Sequence, residues 1–318
     1  MRIRERISIG RGAAQAGFTL IEMMISVTLG LIIMGALLTV VLSSSSAGRT
    51  RDRASEVQVN GRYALEQIKT NLMHSGFLGV TSLFFPDQAL SAGSPAINVT
   101  NACDNATVGK LSMRIWGAND TNPFAATCIP AANYLGGDIL VVRHLNPVQA
   151  TAPFDTKLVY YHSAYEGGQP FVGPTVPDFT PFNRATPYLD YLVEEVVYYV
   201  SPYTTSAAES PKVPALYRLR LGSGPAMVPE LVATGVENLQ VRYGVFQTDD
   251  TVRYLSADEV AVTDWDLVRS VQVWLLVRAS GIDQGYVNNT AYTMGAQTVT
   301  VNDNYRRLLL SAVVQLRN

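Results

Sequence analysis

The sequence has little charge and few residues of the kinds that bind metals or nucleic acids. Charged side chains make up 16% of the 318 residues, and the formal net charge is −2. Globular proteins usually have about 25%. A mildly acidic chain without a basic stripe excludes a general nucleic-acid-binding surface. The histidines His74, His144 and His162 show no metal-ligand spacing, so we expect no metal site.

Motifs of common enzyme families are also missing. No glycine-rich phosphate loop, H-E-x-x-H or G-x-S-x-G occurs. The acidic residues of the stretch 249–266 are Asp249, Asp250, Asp258, Glu259, Asp264 and Asp266. Paired acids can perform acid–base chemistry or bind calcium, but this stretch lacks the Asp-x-Asp-x-Asp-Gly order of an EF-hand loop. We interpret these residues as solvated loop acids, and we expect no enzyme activity and no cofactor.

One long apolar run dominates the N-terminal part of the chain. The twenty residues from Met23 to Leu42 contain no charge and no proline. A membrane-spanning helix needs about 20 apolar residues, so this run predicts a transmembrane segment. Gly30 and Gly35 lie inside it, where small residues allow helices to pack closely in lipid.

A glutamate at the start of the apolar run needs an explanation. The carboxylate of Glu22 costs on the order of 2.5–3.5 kcal/mol inside a membrane, which makes it a candidate functional residue by default. A positive partner arises if the chain is cut between Gly17 and Phe18. That cut would place a free amine on Phe18, one helical turn from Glu22.

The hexapeptide G-F-T-L-I-E before an apolar helix resembles the class III signal of type IV prepilins and type II secretion pseudopilins. The resemblance implies that residues 1–17 are a leader, which a prepilin peptidase removes after Gly17. It also implies N-methylation of Phe18 and a role for Glu22 in subunit assembly. The leader carries four arginines and one glutamate, or +3, which leaves −5 on the rest of the chain.

An amphipathic stretch follows the apolar run. Val57, Gly61, Leu65, Ile68 and Leu72 recur every three or four residues, which predicts one helical face. We expect the helix to continue through 43–46 and to end near His74, with Gly76 as its C-cap. The predicted organisation is therefore an anchor helix over 18–42 and a helical stem over 43–75.

The stem and the C-terminal part resemble the PilW family of minor pilins. The stem residues that match are Gln58, Asn60, Arg62, Tyr63, Ala64 and Leu65, while Ser75 replaces the usual alanine before Gly76. The C-terminal segments that match, in the same order, are Leu231 to Phe246, Val268 to Ser280 and Tyr305 to Asn318. Between Thr81 and Thr205 the match is poor, apart from Gly136 to Leu145.

Beyond the stem, the apolar pattern has a period of two, which is typical of strands with one buried face. The predicted strands are Lys110 to Trp116, Asp138 to His144, Lys157 to His162, Leu192 to Val200, Ala215 to Leu221, Leu239 to Phe246, Ser270 to Arg278 and Arg306 to Leu316. The segment 167–187 is rich in proline and glycine and predicts either a long connection or a subdomain break, which would divide the strands into two groups. We therefore predict an α+β fold, in which a long helix precedes a mainly antiparallel domain over 76–318 with two sheets.

The chain contains two cysteines, Cys103 and Cys128. An even pair in an exported domain is a disulfide candidate. The alternative is two separate buried thiols.

Together, these features predict a non-enzymatic minor pilin in the assembly, priming or tip complex of a type IV pilus. The resemblance implies a single-pass inner-membrane precursor with a periplasmic C-terminal domain, which later joins the pilus tip. It also implies roles in adhesion and twitching motility. Its partners would be the prepilin peptidase, other minor pilins, the major pilin and, as a further candidate, a large tip adhesin.

Two alternatives stay open at this point. A J-type pseudopilin of type II secretion shares the anchor and a related sheet architecture. A membrane-tethered enzyme or sugar-binding module would be marked by a convergent polar pocket, which the sequence alone neither shows nor excludes.

Overall fold

A computed structural model describes residues 17–81, 97–103, 110–165, 167–177 and 188–316. The chain forms two compact units, with the boundary between Asp52 and Arg53. Of the predicted leader, only Gly17 lies within the described residues.

Helix α1 (Leu20–His74) begins in the first unit, where its apolar side chains are exposed. By length and composition it is able to cross a membrane. The hydroxyls of this region bond to the helix itself: Ser26 donates to the Glu22 carbonyl (2.7 Å) and Thr39 to the Ala36 carbonyl (2.7 Å). Such bonds leave fewer polar groups unsatisfied in lipid. The helix continues through 43–46, as predicted.

In the second unit, α1 buries the apolar stripe that the sequence predicts. Val57, Gly61, Ala64, Ile68 and Leu72 are buried, and Leu65 is partly buried beside them. The helix ends at His74, and Gly76 follows with a φ of +79°, a left-handed conformation that favours glycine. Both predictions about the stem are therefore confirmed.

Two sheets pack with this helix, which confirms the predicted α+β fold. Within the described residues, the first sheet has seven antiparallel strands: β1 (Ile115–Ala118), β2 (Ile139–Ala150), β3 (Val159–Ala164), β4 (Gly167–Val172), β5 (Leu189–Ser201), β6 (Ala215–Gly222) and β7 (Ala226–Thr234). Their order is β1-β2-β5-β3-β4, and β6 pairs with both β5 and β7.

The second sheet, in the same described ranges, has the order β13-β10-β8-β9. Its strands are β8 (Val236–Phe246), β9 (Val252–Leu255), β10 (Val268–Arg278) and β13 (Arg307–Gln315). A separate hairpin is formed by β11 (Ala291–Met294) and β12 (Gln297–Thr300). In β10, Val271, Val273, Leu275 and Val277 are fully buried, as the period of two predicts, but Leu276 on the opposite face is buried as well.

The predicted division of the strands near 167–187 is wrong. Strand β4 lies inside that segment and pairs with β3, which in turn pairs with β5 from the other side of it. The change of sheet comes instead between β7 and β8, at Gly235, whose φ is +84°. An added Cβ there would lie 2.4 Å from the Arg278 carbonyl, so the turn requires glycine.

The two faces of the first sheet belong to two different cores. Val196, Tyr198 and Val200 of β5 face a core shared with α1 and the second sheet. The alternate residues Val197 and Tyr199 face an outer core on the other side. This alternation follows from the period-two geometry of a strand.

Candidate functional site

The start of α1 carries the predicted processing and assembly residues. Gly17 and Phe18 precede the helix, and Phe18 is 84% exposed. Glu22 lies in the first turn, on a part of the helix where no described side chain from elsewhere covers it.

Glu22 and Thr19 form a reciprocal helix cap. Glu22 Oε2 accepts hydrogen bonds from the Thr19 amide (3.0 Å) and the Thr19 hydroxyl (2.9 Å), and the Glu22 amide donates to Thr19 Oγ1 (3.3 Å). This is the capping box, in which Thr occupies the N-cap and Glu the third helical position. The T-x-x-E spacing before an apolar run is the sequence signal of this motif.

The cap changes the interpretation of the intramembrane acid. Glu22 already has a partner within its own chain, so a positive partner is not its only means of stabilisation. Only Oε2 is used, however, and Oε1 makes no hydrogen bond with any described residue. The carboxylate can therefore cap its own helix and still accept a bond from a second group.

Cys103 and Cys128 form the predicted disulfide, with Cα atoms 4.7 Å apart. Both residues are buried in the outer core of the first sheet, close to Leu111 and Ile129. The crosslink therefore fastens the segment that covers this face of the sheet.

Acidic side chains of the stretch 249–266 accept hydrogen bonds from residues of their own turns. Asp249 accepts bonds from the amide and hydroxyl of Thr251, and these bonds hold the pKa of Asp249 below its usual value. Glu259 caps the amide of Ser256 (2.9 Å). Across the described residues, no three His, Cys, Asp or Glu side chains form a metal-ligand group.

Two of the histidines meet in space, although their sequence spacing does not indicate it. The rings of His74 and His144 lie 5.6 Å apart. His144 is buried, with Nε2 3.1 Å from Asn71 Oδ1 and Nδ1 2.9 Å from the Leu145 carbonyl. Asn71 also donates to Tyr198 (2.7 Å), so this cluster joins the end of α1 to the first sheet.

A convergent polar pocket is present in the second unit, and Ser256 of the acidic stretch 249–266 contributes to its lining. It has a volume of about 160 Å³, and its lining residues are Asn119, Asp120, Gln240, Val241, Arg242, Ser256, Met294, Ala296 and Gln297. Asp138, beneath it, accepts bonds from the amides of Asp120 (3.0 Å) and Val241 (2.7 Å). Burial raises the pKa of Asp138 to about 7, although these two bonds lower it.

Sequence reasoning missed this pocket. Its members come from the β1–β2 connection, β8, the end of β9 and the β11–β12 hairpin, which are far apart along the chain. No local spacing relates such residues, and only the tertiary fold brings them together.

Comparison with known families finds matches at both ends of the chain. The model of PilW, a type IV pilus-assembly protein family, matches residues 197–318. The prokaryotic N-terminal methylation motif matches residues 12–38. These matches confirm the resemblance to PilW proteins and the prepilin-like N-terminus.

Among solved structures, the chain is similar to a type IV-like pilin from Thermus thermophilus. The sequences are 16% identical, the match covers 59% of this chain and 80% of that protein, and the TM-score is 0.28. A comparison with curated proteins gives no match.

Proposed function

We propose that this protein is a minor pilin that takes part in type IV pilus assembly, in a priming or tip complex. The observation that carries the proposal is the combination of a prepilin methylation motif, an exposed apolar helix and a PilW-type C-terminal region. A pilin subunit needs an anchor that can leave the membrane and pack in a bundle. An apolar helix whose hydroxyls bond to its own backbone is suited to both environments.

The proposed precursor lies in the bacterial inner membrane, with the second unit in the periplasm. Prepilin peptidase would cut between Gly17 and Phe18, and the new amine of Phe18 would be methylated. The disulfide Cys103–Cys128 supports an oxidising compartment for the second unit, because disulfides persist in the periplasm and are rare in the cytosol.

Glu22 would act twice in this proposal. It caps its own helix through Oε2. Its free Oε1 would accept a hydrogen bond from the Phe18 amine, either of the same chain or of a neighbouring subunit. In the second case an incoming subunit would neutralise a charge already present in the bundle. The attraction is stronger in a low-dielectric bundle than in water, although desolvation offsets part of it.

Other minor pilins and the major pilin would be the neighbours in the pilus, with a large tip adhesin as a further candidate. The PilW match favours the pilus over the J-type pseudopilin of a secretion system, because its family description refers to pilus assembly.

Two variants separate the capping role of Glu22 from its charge. Glu22→Gln removes the charge and keeps a side chain that can complete a capping box. Thr19→Ala removes the two bonds made by the Thr19 hydroxyl and keeps the charge of Glu22, while the backbone amide of residue 19 can still donate to it. Co-purification of the other minor pilins from membranes measures assembly, and mass spectrometry measures leader cleavage in the same samples.

The proposal predicts that Glu22→Gln and Glu22→Ala both insert and are cleaved but lose co-purification, whereas Thr19→Ala retains most of it. If Glu22→Gln assembles as well as the native chain, the carboxylate serves only as a cap, and the proposed role of its charge is wrong. Normal piliation in a strain that lacks the whole protein would contradict the minor-pilin function itself.

A further inference from the structure

The polar pocket of the second unit has no role in the proposed assembly function. It lies between the β1–β2 connection, the outer side of β8, the end of β9 and the β11–β12 hairpin. Its volume is about 160 Å³, below the roughly 300–1,000 Å³ typical of pockets that bind drug-sized ligands. This space fits one small ring-sized group rather than an extended chain segment.

Asp120 is held rigidly at one side of the pocket. Its φ of +47° is uncommon for a residue with a side chain, and the bond from its amide to the buried Asp138 fixes this conformation. Its carboxylate accepts bonds from Gln240 Nε2 (2.9 Å) and Gln297 Nε2 (2.8 Å). Each carboxylate oxygen has a second lone pair, so Asp120 can accept further donors from a ligand.

Arg242 lies at another side of the pocket and has hydrogen-bond donors that are unpaired within the described part of the chain. Its guanidinium donates no hydrogen bond to any described residue, and Glu259 Oε2 is 3.8 Å away, beyond hydrogen-bond range. Its stem packs on the hairpin, because an added Cβ at Gly295 would lie 3.0 Å from Arg242 Cδ. A positioned guanidinium with unused donors is suited to a ligand with acceptor oxygens.

Gln297 supplies an unused acceptor. Its amide orientation is set by Asp120, which can only accept, so Nε2 faces the carboxylate and Oε1 faces away. Oε1 is buried without a partner among the described residues, as is Arg242 Nε. Unsatisfied buried polar atoms are rare and call for an explanation such as a missing ligand or water.

We propose that this pocket binds a small neutral polyhydroxyl ligand, such as a single sugar residue. A hydroxyl both donates and accepts, so adjacent hydroxyls can bond to Asp120 and Gln297 as donors and to Arg242 as acceptors. After a small rotation of the two side chains, Arg242 Nε and Gln297 Oε1 would both gain partners. Met294 and Ala296 provide an apolar wall for the C–H surface of a ring.

Charge argues for a neutral ligand over an anion. The positive charge of Arg242 is opposed by Asp120 in the pocket wall and by Glu259 at 3.8 Å. A carboxylate or phosphate would meet repulsion from both acids, whereas a hydroxyl carries no charge. The inference is independent of the pilus role, since every lining residue lies in the second unit.

Saturation-transfer NMR on the full-length protein in detergent micelles would test the proposal. The probes are glucose, galactose, mannose and N-acetylglucosamine, each added alone. At least one should bind with a dissociation constant of about 1 mM, a typical scale for a weak single-site ligand. Arg242→Met and Asp120→Asn should each weaken that binding about tenfold, with Asn chosen because it tolerates the left-handed conformation.

Arg253→Met is the matched control, because Arg253 is an exposed arginine on β9 of the same sheet and does not line the pocket. It removes the same charge and should leave sugar binding unchanged. Thermal unfolding establishes that each variant is folded. The proposal is overturned if no sugar binds, if Arg242→Met and Asp120→Asn bind as the native protein does, or if acetate or phosphate binds in place of the sugars.

Discussion

Gly61 of α1 lies directly against Leu310 of β13. A Cβ added to Gly61 would be 2.5 Å from Leu310 Cδ1 and 3.2 Å from Val277 Cγ2 of β10. The stem thus meets the second sheet here at a residue that has no side chain. This contact determines how near the helix backbone can lie to both strands.

A large side chain at Gly61 should destabilise the second unit. Gly61→Leu would force Leu310 and Val277 aside, and overpacking of this kind typically costs about 1–3 kcal/mol. The higher helix propensity of Leu relative to Gly offsets less than about 1 kcal/mol of this cost. Denaturant unfolding of the full-length protein in micelles measures the net loss of stability.

Two further variants show whether the contact is responsible. Leu310→Ala removes the nearest side chain, so it should restore part of the stability lost in Gly61→Leu. Gly48→Leu is the matched control on the same helix, because an added Cβ there meets nothing within 4 Å. Equal destabilisation at Gly48 and Gly61 would contradict the packing explanation.

The sequence predicted those parts of the fold that depend on local periodicity. The stripe from Val57 to Leu72 and the alternation in β10 each need only one element and one buried face. The sheet membership of β3, β4 and β5 was not predictable in this way, because pairing across 167–187 depends on contacts between distant segments. Pro170 and the glycines of β4 also resemble a loop, since proline suits only an edge strand.

The candidate sites also differ in whether a local sequence pattern predicts them. Gly17, Phe18 and Glu22 were recognisable because their motif is contiguous, and the pair Cys103 and Cys128 because no other cysteine exists. The capping role of Thr19 had a local signal that was overlooked. The pocket around Asp120 and Arg242 had none.

Loss of the disulfide should destabilise the second unit. Cys103 and Cys128 are 25 residues apart, and closing a loop of this length stabilises by about 3 kcal/mol in the chain-entropy model. The double variant Cys103→Ala, Cys128→Ala should therefore melt at a lower temperature than the oxidised native protein.

The reductant response provides the control for this prediction. Dithiothreitol should lower the melting temperature of the native protein towards that of the double variant, and should leave the variant unchanged. Two freely alkylatable thiols in protein purified from the periplasmic side would show that the crosslink does not form in the cell.

Asp138 should make stability depend on pH. Burial raises its pKa in the folded protein from 3.8 to about 7. Between these values the folded chain keeps a proton that the unfolded chain has lost. Stability from this group is therefore greatest below about pH 4, falls by up to about 1.4 kcal/mol per unit as pH rises towards 7, and is constant above that.

Asp138→Asn isolates this contribution, because an amide does not titrate in the range. The difference in unfolding free energy between the native protein and Asp138→Asn should fall as pH rises from about 4 to 7. Any loss of a hydrogen bond in the variant adds a constant offset and leaves the slope unaffected. Parallel pH profiles for the two proteins would contradict the prediction.

Gly17 should control removal of the leader. A peptidase must approach the backbone at the cut, and we expect a side chain before Phe18 to obstruct that approach. Gly17 suits the test, because an added Cβ there meets nothing within 4 Å among the described residues. Gly17→Trp should keep the 17-residue leader attached, whereas Gly17→Ala should lose the leader to a larger extent than Gly17→Trp does.

Gly30→Ala, also in open space, controls for a general effect of replacing a glycine in the anchor. Mass spectrometry of the membrane fraction distinguishes the two forms, and a cleaved, methylated Phe18 in Gly17→Trp would show that the predicted site is wrong.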